Sequence, residues 1–257
     1  QLTEYRLNYD PECRDAAMSN IVLIGHSMGG IVSKLQISAS SDQLWKAVAN
    51  RPFGELMMNG QDRTMLGEAF FFDPIPQIGR VIYVGAPHRG SPWATRPIGR
   101  LGSCLVEEPE EQKQRHQRLV NDNPYTFSEE FTRRIPTSVD LLRPDSPLLL
   151  AIDNLPANPR VPEHSIIGSW TPMAGAGDSD SVVPVNSAIR KGAVTEKIIR
   201  ARHTDLHRVD PGVDEIFRIL RVHSQQMQRK PQSPPQENGW TVPSVEGPLV
   251  EPANTEF

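Results

Sequence analysis

Residues 21–30 read IVLIGHSMGG, and this stretch decides the fold of the 257-residue chain. The β-branched apolar run at its start is bounded by Asn20 and Gly25, which is typical of a short buried strand. The residues from Gly29 onward, GGIVSKL, predict the opening of a helix. The stretch therefore predicts a strand, a sharp turn and a helix in direct succession.

The turn itself, GHSMG, has the Gly-X-Ser-X-Gly spacing of a nucleophile elbow, with Ser27 at the centre. The serine backbone in such a turn is strained, and the strain holds the hydroxyl clear of the sheet. We expect glycine at positions 25 and 29 because a side chain at either one would collide with the turn. The helix start would point the N–H of Met28 at a reacting carbonyl as an oxyanion donor. We expect His26 to pack or cap locally and not to act as the base.

Three further short apolar runs predict buried strands, at residues 81–84, 165–167 and 194–199. Helical patterns separate these runs, and strands that alternate with helices form a parallel sheet. We therefore predict an α/β fold with a mostly parallel sheet. Functional sites in such folds lie at the carboxyl ends of the strands.

Acidic and imidazole side chains follow two of these strands. A serine hydroxyl needs a histidine to take its proton, and the histidine needs a carboxylate to fix its tautomer, in the chain order serine, acid, histidine. Asp178 and Asp180 follow one strand, and His203 and His207 follow the next. We favour Asp180 because the apolar residues after it can anchor its loop, and His203 because it comes first after its strand. Asp178 and His207 remain the alternatives.

The chain is predicted to form one domain over residues 1–223, with a helical insertion at about residues 90–162. The insertion carries leucine clusters, and it is expected to be either a lid or a second layer packed on the core. Residues 224–257 are rich in proline and lack apolar periodicity, so they are predicted to be a disordered tail. A closing helix precedes this tail, and its predicted apolar face consists of Val213, Ile216, Phe217 and Leu220.

The composition excludes several kinds of partner. The formal net charge of -4 and the pI of about 6.0 provide no basic field for a polyanion, so no nucleic acid partner is expected. No apolar run reaches the length of a membrane span, although the leucine clusters of the insertion would allow it to contact a membrane.

Cys13 and Cys104 have no metal-ligand spacing, so neither a zinc site nor a disulfide framework is predicted.

Five segments together resemble bacterial α/β-hydrolases of the esterase and lipase type. They read IVLIGHSMGG at 21–30, YVGAPHRGS at 83–91, PTSVDLLRPDSPLL at 136–149 and DSDSVVPVNSA at 178–188, and the fifth spans 203–220. The resemblance covers residues 20 to about 223 and implies a sheet of the α/β-hydrolase type. It also implies that the aspartate just ahead of Val-Val-Pro, Asp180, is the acid and that the first histidine of the following pair, His203, is the base.

The sequence departs from this family in two places. Ser181 stands where the family usually has glycine. A complete α/β-hydrolase has several strands ahead of the nucleophile strand, whereas only 26 residues precede Ser27. We therefore expect the carboxyl-terminal portion of a longer hydrolase, in which the strand at residues 21–24 is unpaired on one side and no residue is a candidate for the second oxyanion donor.

The combined prediction is a serine hydrolase that cleaves a small-molecule or lipid ester through an acyl-enzyme, without a cofactor or a metal. In this prediction Ser27 attacks, His203 carries the proton and Asp180 orients His203. An acyltransferase or an amidase is an alternative, because the same residues activate a nucleophile without selecting the acceptor. A non-catalytic interaction module is a second alternative, in which the insertion and the tail bind partners.

Overall fold

A sheet of four parallel strands forms the centre of the structure, in the order Ile21–His26, Ile78–Val84, Glu163–Gly168 and Thr195–Ile199. The computed structural model describes residues 4, 8–12, 14–95, 109–175 and 177–229. The strands are β1 (Ile21–His26), β2 (Ile78–Val84), β3 (Glu163–Gly168), β4 (Thr171–Met173), β5 (Gly177–Ser179) and β6 (Thr195–Ile199). Because β2 and β3 are buried along almost their whole length, they are covered on both faces, as parallel strands of α/β folds are. The predicted α/β fold with a mostly parallel sheet is confirmed.

Each of the four apolar runs that predict strands lies in this sheet. The antiparallel hairpin of β4 and β5 was not predicted, because strands of three residues are too short to produce a periodic pattern. Within the described residues β1 pairs with β2 alone, and Ile24 is 48% exposed. The expected unpaired side of this strand is therefore present in the described part of the chain.

Helices connect the strands and surround the sheet. They are α1 (Met28–Leu35), α2 (Gln43–Val48), α3 (Gly60–Phe70), α4 (Glu110–Asp122), α5 (Glu129–Arg133), α6 (Ser138–Leu141), α7 (Pro147–Asn154), α8 (Val185–Ala188) and α9 (Asp210–Arg229). Three short 3-10 helices lie at Ala16–Ser19, Phe53–Glu55 and Pro92–Thr95. Helix α1 directly follows β1, so the predicted strand, turn and helix are present.

Helices α4 to α7 lie between β2 and β3 in the chain, where the helical insertion was expected. Leu149 and Ile152 on α7 are buried and pack in one cluster with Ile31 of α1. Helix α7 is therefore a second layer on the core, which is one of the two arrangements expected for the insertion. Residues 96–108 of the insertion, with Cys104, lie outside the described residues, as does Cys13.

Helix α9 closes the domain with most of the predicted face: Ile216 packs on the core and Val213 and Leu220 are half-buried, but Phe217 does not belong to this face. Ile219 is 1% exposed and packs on the sheet, whereas Phe217 is 53% exposed. Gly212 fixes this face, because a Cβ there would lie 1.9 Å from Leu206 O, so only glycine allows the helix to approach so closely. Residues 212, 216 and 219 then face the sheet, whereas Phe217, one position after Ile216, faces away from it.

The end of α9 also corrects the predicted domain boundary. The helix continues to Arg229, past the boundary at residue 223. Residues 224–229 contain no proline, and their glutamine, methionine and arginine residues favour a helix. The remainder of the predicted tail, residues 230–257, lies outside the described residues.

Five side chains form what we call the buried ion network, which joins α1, β2, α7, β3 and the segment before β6. Arg190 Nε lies 2.9 Å from Glu163 Oε2, and the Tyr83 hydroxyl donates to the same oxygen at 2.6 Å. Lys34 is fully buried, and its Nζ lies 3.7 Å from Asp153 Oδ1, which is 3.8 Å from Arg190 Nη1. The pKa of Lys34 is lowered to about 7, and burial is the largest of several causes.

Candidate active site

Ser27 occupies the turn between β1 and α1 in a strained conformation. Its φ is 56° and its ψ is -127°, in a region that side chains rarely adopt. The Ser27 N–H donates to Val84 O of β2 at 2.9 Å, and Ser27 O accepts from Gly30 N at 2.9 Å. The turn is thus held at both ends by backbone hydrogen bonds.

The glycines of the turn have different roles from those expected. A Cβ at Gly25 would lie 2.4 Å from Gly29 O, so a side chain is excluded there, as predicted. At Gly29 no atom lies within 4 Å, so the expected collision at that position is wrong. The close approach is instead at Gly30, where a Cβ would lie 2.4 Å from Ala86 Cβ after β2. Helix α1 therefore packs against Ala86, which follows β2, at its third residue, Gly30, and not at its second, Gly29.

Met28 is the first residue of α1. The first N–H groups of a helix have no partner within the helix, and they carry its positive dipole end. The N–H of Met28 therefore belongs to the set of donors that an oxyanion beside Ser27 would meet. The Met28 side chain is 37% exposed, so this end of the helix is open to solvent.

Asp180 lies in the loop after β5 and is 1% exposed. One carboxylate oxygen, Oδ1, accepts backbone N–H groups from Val182 at 2.9 Å and Val183 at 2.6 Å. The other oxygen, Oδ2, lies 2.7 Å from His203 Nδ1. The His203 N–H donates to Asp180 O at 2.8 Å. Both ends of the aspartate are therefore fixed, and the carboxylate is aimed at the imidazole.

The two alternative residues stand apart from this pair. Asp178 is exposed on β5, where Ser169 Oγ donates to its Oδ2 at 3.4 Å. His207 is exposed, and its ring centroid lies 5.0 Å from that of His26. The assignment of Asp180 as acid and His203 as base stays a prediction, but the buried carboxylate and imidazole that contact each other are these two.

Ser181 has a φ of 83°, in the left-handed region that favours glycine. This is the position where the resembled family usually has glycine. The Ser181 N–H donates to Ser179 Oγ at 3.1 Å, which helps to hold the turn. Residues 180–184 form the loop that we call the acid loop after the predicted role of Asp180. Its turn is therefore present with a serine whose backbone is strained at this position.

Two glycines that the sequence analysis did not single out make room for Asp180 and His203. Gly85 follows β2 with a φ of 57°, and a Cβ there would lie 3.1 Å from Asp180 Oδ2 and 3.2 Å from His203 Nδ1. At Gly168, at the end of β3, a Cβ would lie 2.4 Å from Asp180 Cβ. The available signal was that each of these two glycines directly follows a predicted strand, at residues 81–84 and 165–167, where sites of open α/β sheets lie.

His26 connects the turn at Ser27 to residues 200–209, which follow β6 and which we call the base loop after the predicted role of His203. Its Nε2 lies 2.9 Å from His203 O, and the two imidazole centroids are 4.7 Å apart. Burial lowers the pKa of His26, the nearby imidazoles lower it further, and the hydrogen bond and Asp180 oppose these effects. Among the described residues no hydrogen bond joins Ser27 Oγ to His203. Without a substrate such bonds are often long, and they shorten in the reacting complex.

A cavity of about 430 Å³ lies elsewhere, among α2, α3 and the helices of the insertion. Apolar side chains form most of its wall, including Phe70, Leu119, Phe131 and Leu148. Ser27, Asp180 and His203 are not among its lining residues. The cavity is thus a feature of the helical layer, distinct from the elbow.

Over the described ranges, no group of three or more histidine, cysteine, aspartate or glutamate residues could hold a metal ion. The same residues include no helix that is long and apolar enough to cross a membrane. That the protein works without a metal or a cofactor, and that the insertion can contact a membrane, stay predictions.

The comparisons with known proteins give solved structures at low identity. The mature Bacillus licheniformis lipase BlEst2 aligns with a TM-score of 0.44 at 14% identity, over 86% of this chain and 69% of that one. The metagenomic carboxyl esterase MGS0156 aligns with a TM-score of 0.47 at 14% identity, over 86% and 60%. Against the propeptide form of BlEst2, this chain spans 38% of the length. No family model matches the chain, and no curated protein matches it.

Proposed function

We propose that this protein is a serine hydrolase that cleaves carboxylic esters through an acyl-enzyme. The observation that carries the proposal is the buried contact of 2.7 Å between Asp180 Oδ2 and His203 Nδ1. His203 O in turn contacts His26, the residue before a serine at a φ of 56°. A carboxylate on Nδ1 fixes the tautomer in which Nε2 can accept a proton. A serine hydroxyl requires such a base to become a nucleophile.

In the first half of the reaction, Ser27 Oγ attacks the ester carbonyl carbon while His203 Nε2 takes the hydroxyl proton. The negative charge moves to the carbonyl oxygen, where the N–H of Met28 stabilises it. When the carbon–oxygen bond to the alcohol breaks, His203 returns the proton to the leaving oxygen. The acyl group is then attached to Ser27.

In the second half, His203 takes a proton from water, and the resulting hydroxide equivalent attacks the acyl carbon. Collapse of this intermediate releases the carboxylic acid and returns the proton to Ser27. Asp180 stabilises the imidazolium in both halves and does not itself take the proton. The substrate is a small-molecule or lipid ester, and a lipid would bring the insertion to a membrane surface.

The test combines covalent labelling with turnover. A fluorophosphonate probe should label Ser27, and p-nitrophenyl esters from acetate to palmitate should be hydrolysed, with the chain-length profile separating small esters from lipids. The change Ser27→Ala should remove the labelling and lower turnover on the order of 10⁶-fold, because the triad acts as a unit. The exposed-loop change His207→Gln serves as the matched control and should leave both unchanged.

Labelling at another residue, or a loss below about tenfold in Ser27→Ala, would contradict the proposal. Labelling of Ser27 without hydrolysis of any ester would keep the activated serine and would reject the ester as substrate. In that case transfer to an amine or alcohol acceptor would be measured next.

A further inference from the structure

We propose that His26, the residue directly before the proposed nucleophile Ser27, is a positioning residue that fixes the backbone and the ring of His203. This inference rests on the proposed function. The sequence alone predicts only local packing or capping for His26, and the structure connects it to a residue 177 positions away.

The first step is the hydrogen bond from the elbow to the base loop. His26 Nε2 lies 2.9 Å from His203 O, so the nitrogen must carry the proton and donate it to the carbonyl. The His203 N–H donates to Asp180 O at 2.8 Å. Both backbone groups of His203 are therefore bonded, one to the acid loop and one to the residue beside Ser27.

These hydrogen bonds limit the distance between Ser27 and His203. His26 and Ser27 share a peptide bond, so a shift of the base loop away from the nucleophile would break the bond between His26 and His203. The two imidazole rings also contact each other, at 4.7 Å between centroids and 39° between planes. A proton transfer between Ser27 and His203 depends steeply on their separation, and a misplacement of 1 Å costs about 100-fold in rate.

The third step is the charge of His26. During the reaction His203 becomes positively charged, and a second positive imidazole at 4.7 Å would oppose that charge. Burial lowers the pKa of His26, which favours its neutral form. The groups that face His26 are His203 and His207 from the base loop and Asp180 from the acid loop. A neutral imidazole can donate its proton to His203 O and leave the charge on His203 unopposed.

The experiment compares three variants of the full chain by kcat and KM for a p-nitrophenyl ester, by fluorophosphonate labelling rate and by thermal unfolding. His26→Leu removes the donor, and it should lower kcat and the labelling rate by about tenfold to 100-fold with little change in KM. His26→Gln keeps a donor of similar reach and should recover most of the loss. Arg208→Gln is the control, since Arg208 is exposed in the same loop and should retain the parent rates.

If His26→Leu does not fold, His26→Asn takes its place, because its shorter amide does not reach His203 O and the same loss is expected. A folded His26→Leu or His26→Asn with the parent kcat would overturn the inference. So would an equal loss in His26→Gln and His26→Leu, because the donor would then not matter. Failure of the proposed function is separate, since the parent chain itself would then show no labelling of Ser27.

Discussion

Two buried polar clusters in this protein use carboxylates in opposite ways. In the buried ion network, Glu163 accepts from both Arg190 and Tyr83, and its charge is matched inside the protein. In the candidate site, Asp180 is equally buried, but its partner His203 is an imidazole whose second ring nitrogen is not used by the acid. The carboxylate of Glu163 therefore pairs with a permanent charge, whereas the carboxylate of Asp180 pairs with an imidazole whose second nitrogen can exchange a proton.

Backbone strain follows the same division. Ser27 and Ser181, on either side of the site, have φ values of 56° and 83°, whereas none of the five network residues is among the described residues with a positive φ. Such strain costs about 1 to 3 kcal/mol for each residue and persists only where the surrounding structure enforces it. The comparison predicts that changes in the site will mainly alter rates and that changes in the network will mainly alter stability.

The largest effect is expected for Asp180→Asn. The amide cannot hold His203 in the tautomer that accepts a proton at Nε2, so kcat for a p-nitrophenyl ester should fall on the order of 10⁴-fold. The matched control is Asp178→Asn, whose side chain is exposed on β5 and should leave kcat unchanged. A large loss in the control with little loss in Asp180→Asn would reverse the assignment of the acid.

A smaller effect, on stability and not on rate, is expected for Glu163→Gln. The change leaves the buried Arg190 guanidinium without its nearest carboxylate, and the free energy of unfolding should fall by about 3 to 5 kcal/mol. In Glu129→Gln, where the ion pair with Arg133 is exposed, the loss should stay below about 0.5 kcal/mol. Urea unfolding measures both, and equal losses would show that burial of the network contributes nothing.

The last effect, which is small for each pH unit, concerns the pH dependence of stability through Lys34. Its pKa is about 7 in the folded chain, below its usual value of 10.5, so the unfolded chain binds more protons between these values. The contribution is therefore complete above pH 10.5 and is lost as the pH falls through 7, with a slope of about 1.4 kcal/mol per pH unit.

The change Lys34→Met should remove this slope between pH 7 and 10, because methionine carries no titrating group. The exposed Lys46, paired with Asp42, is the matched control, and Lys46→Met should keep the slope of the parent. Urea unfolding at a series of pH values gives the comparison. The same slope in the parent and in Lys34→Met would show that Lys34 titrates in the folded chain as it does in the unfolded one.

The local signals in the sequence predicted the fold with few errors. All four predicted strands lie in the sheet. Strands β2 and β3 are buried on both faces, which requires apolar residues whatever surrounds them, whereas β6 was wrongly predicted to be buried and has Ile198 58% exposed. The placement of Phe217 on the apolar face of α9 was wrong, because the close contact of Gly212 with Leu206 O sets the rotation of the helix and this contact depends on the base loop. The hairpin of β4 and β5 was missed, because its strands are only three residues long.

By itself the sequence determined the order of the chemical groups along the chain: Ser27 in a glycine-flanked turn, then the two aspartates, then the two histidines. Only the tertiary structure decided which of them meet, since Asp180 and His203 are 23 residues apart in the chain and 2.7 Å apart in space. It also decided that Gly30 rather than Gly29 is sterically required and that His26 bonds the base loop. Spacing and polarity are local properties of a chain, whereas the separation of two side chains depends on how every element between them packs.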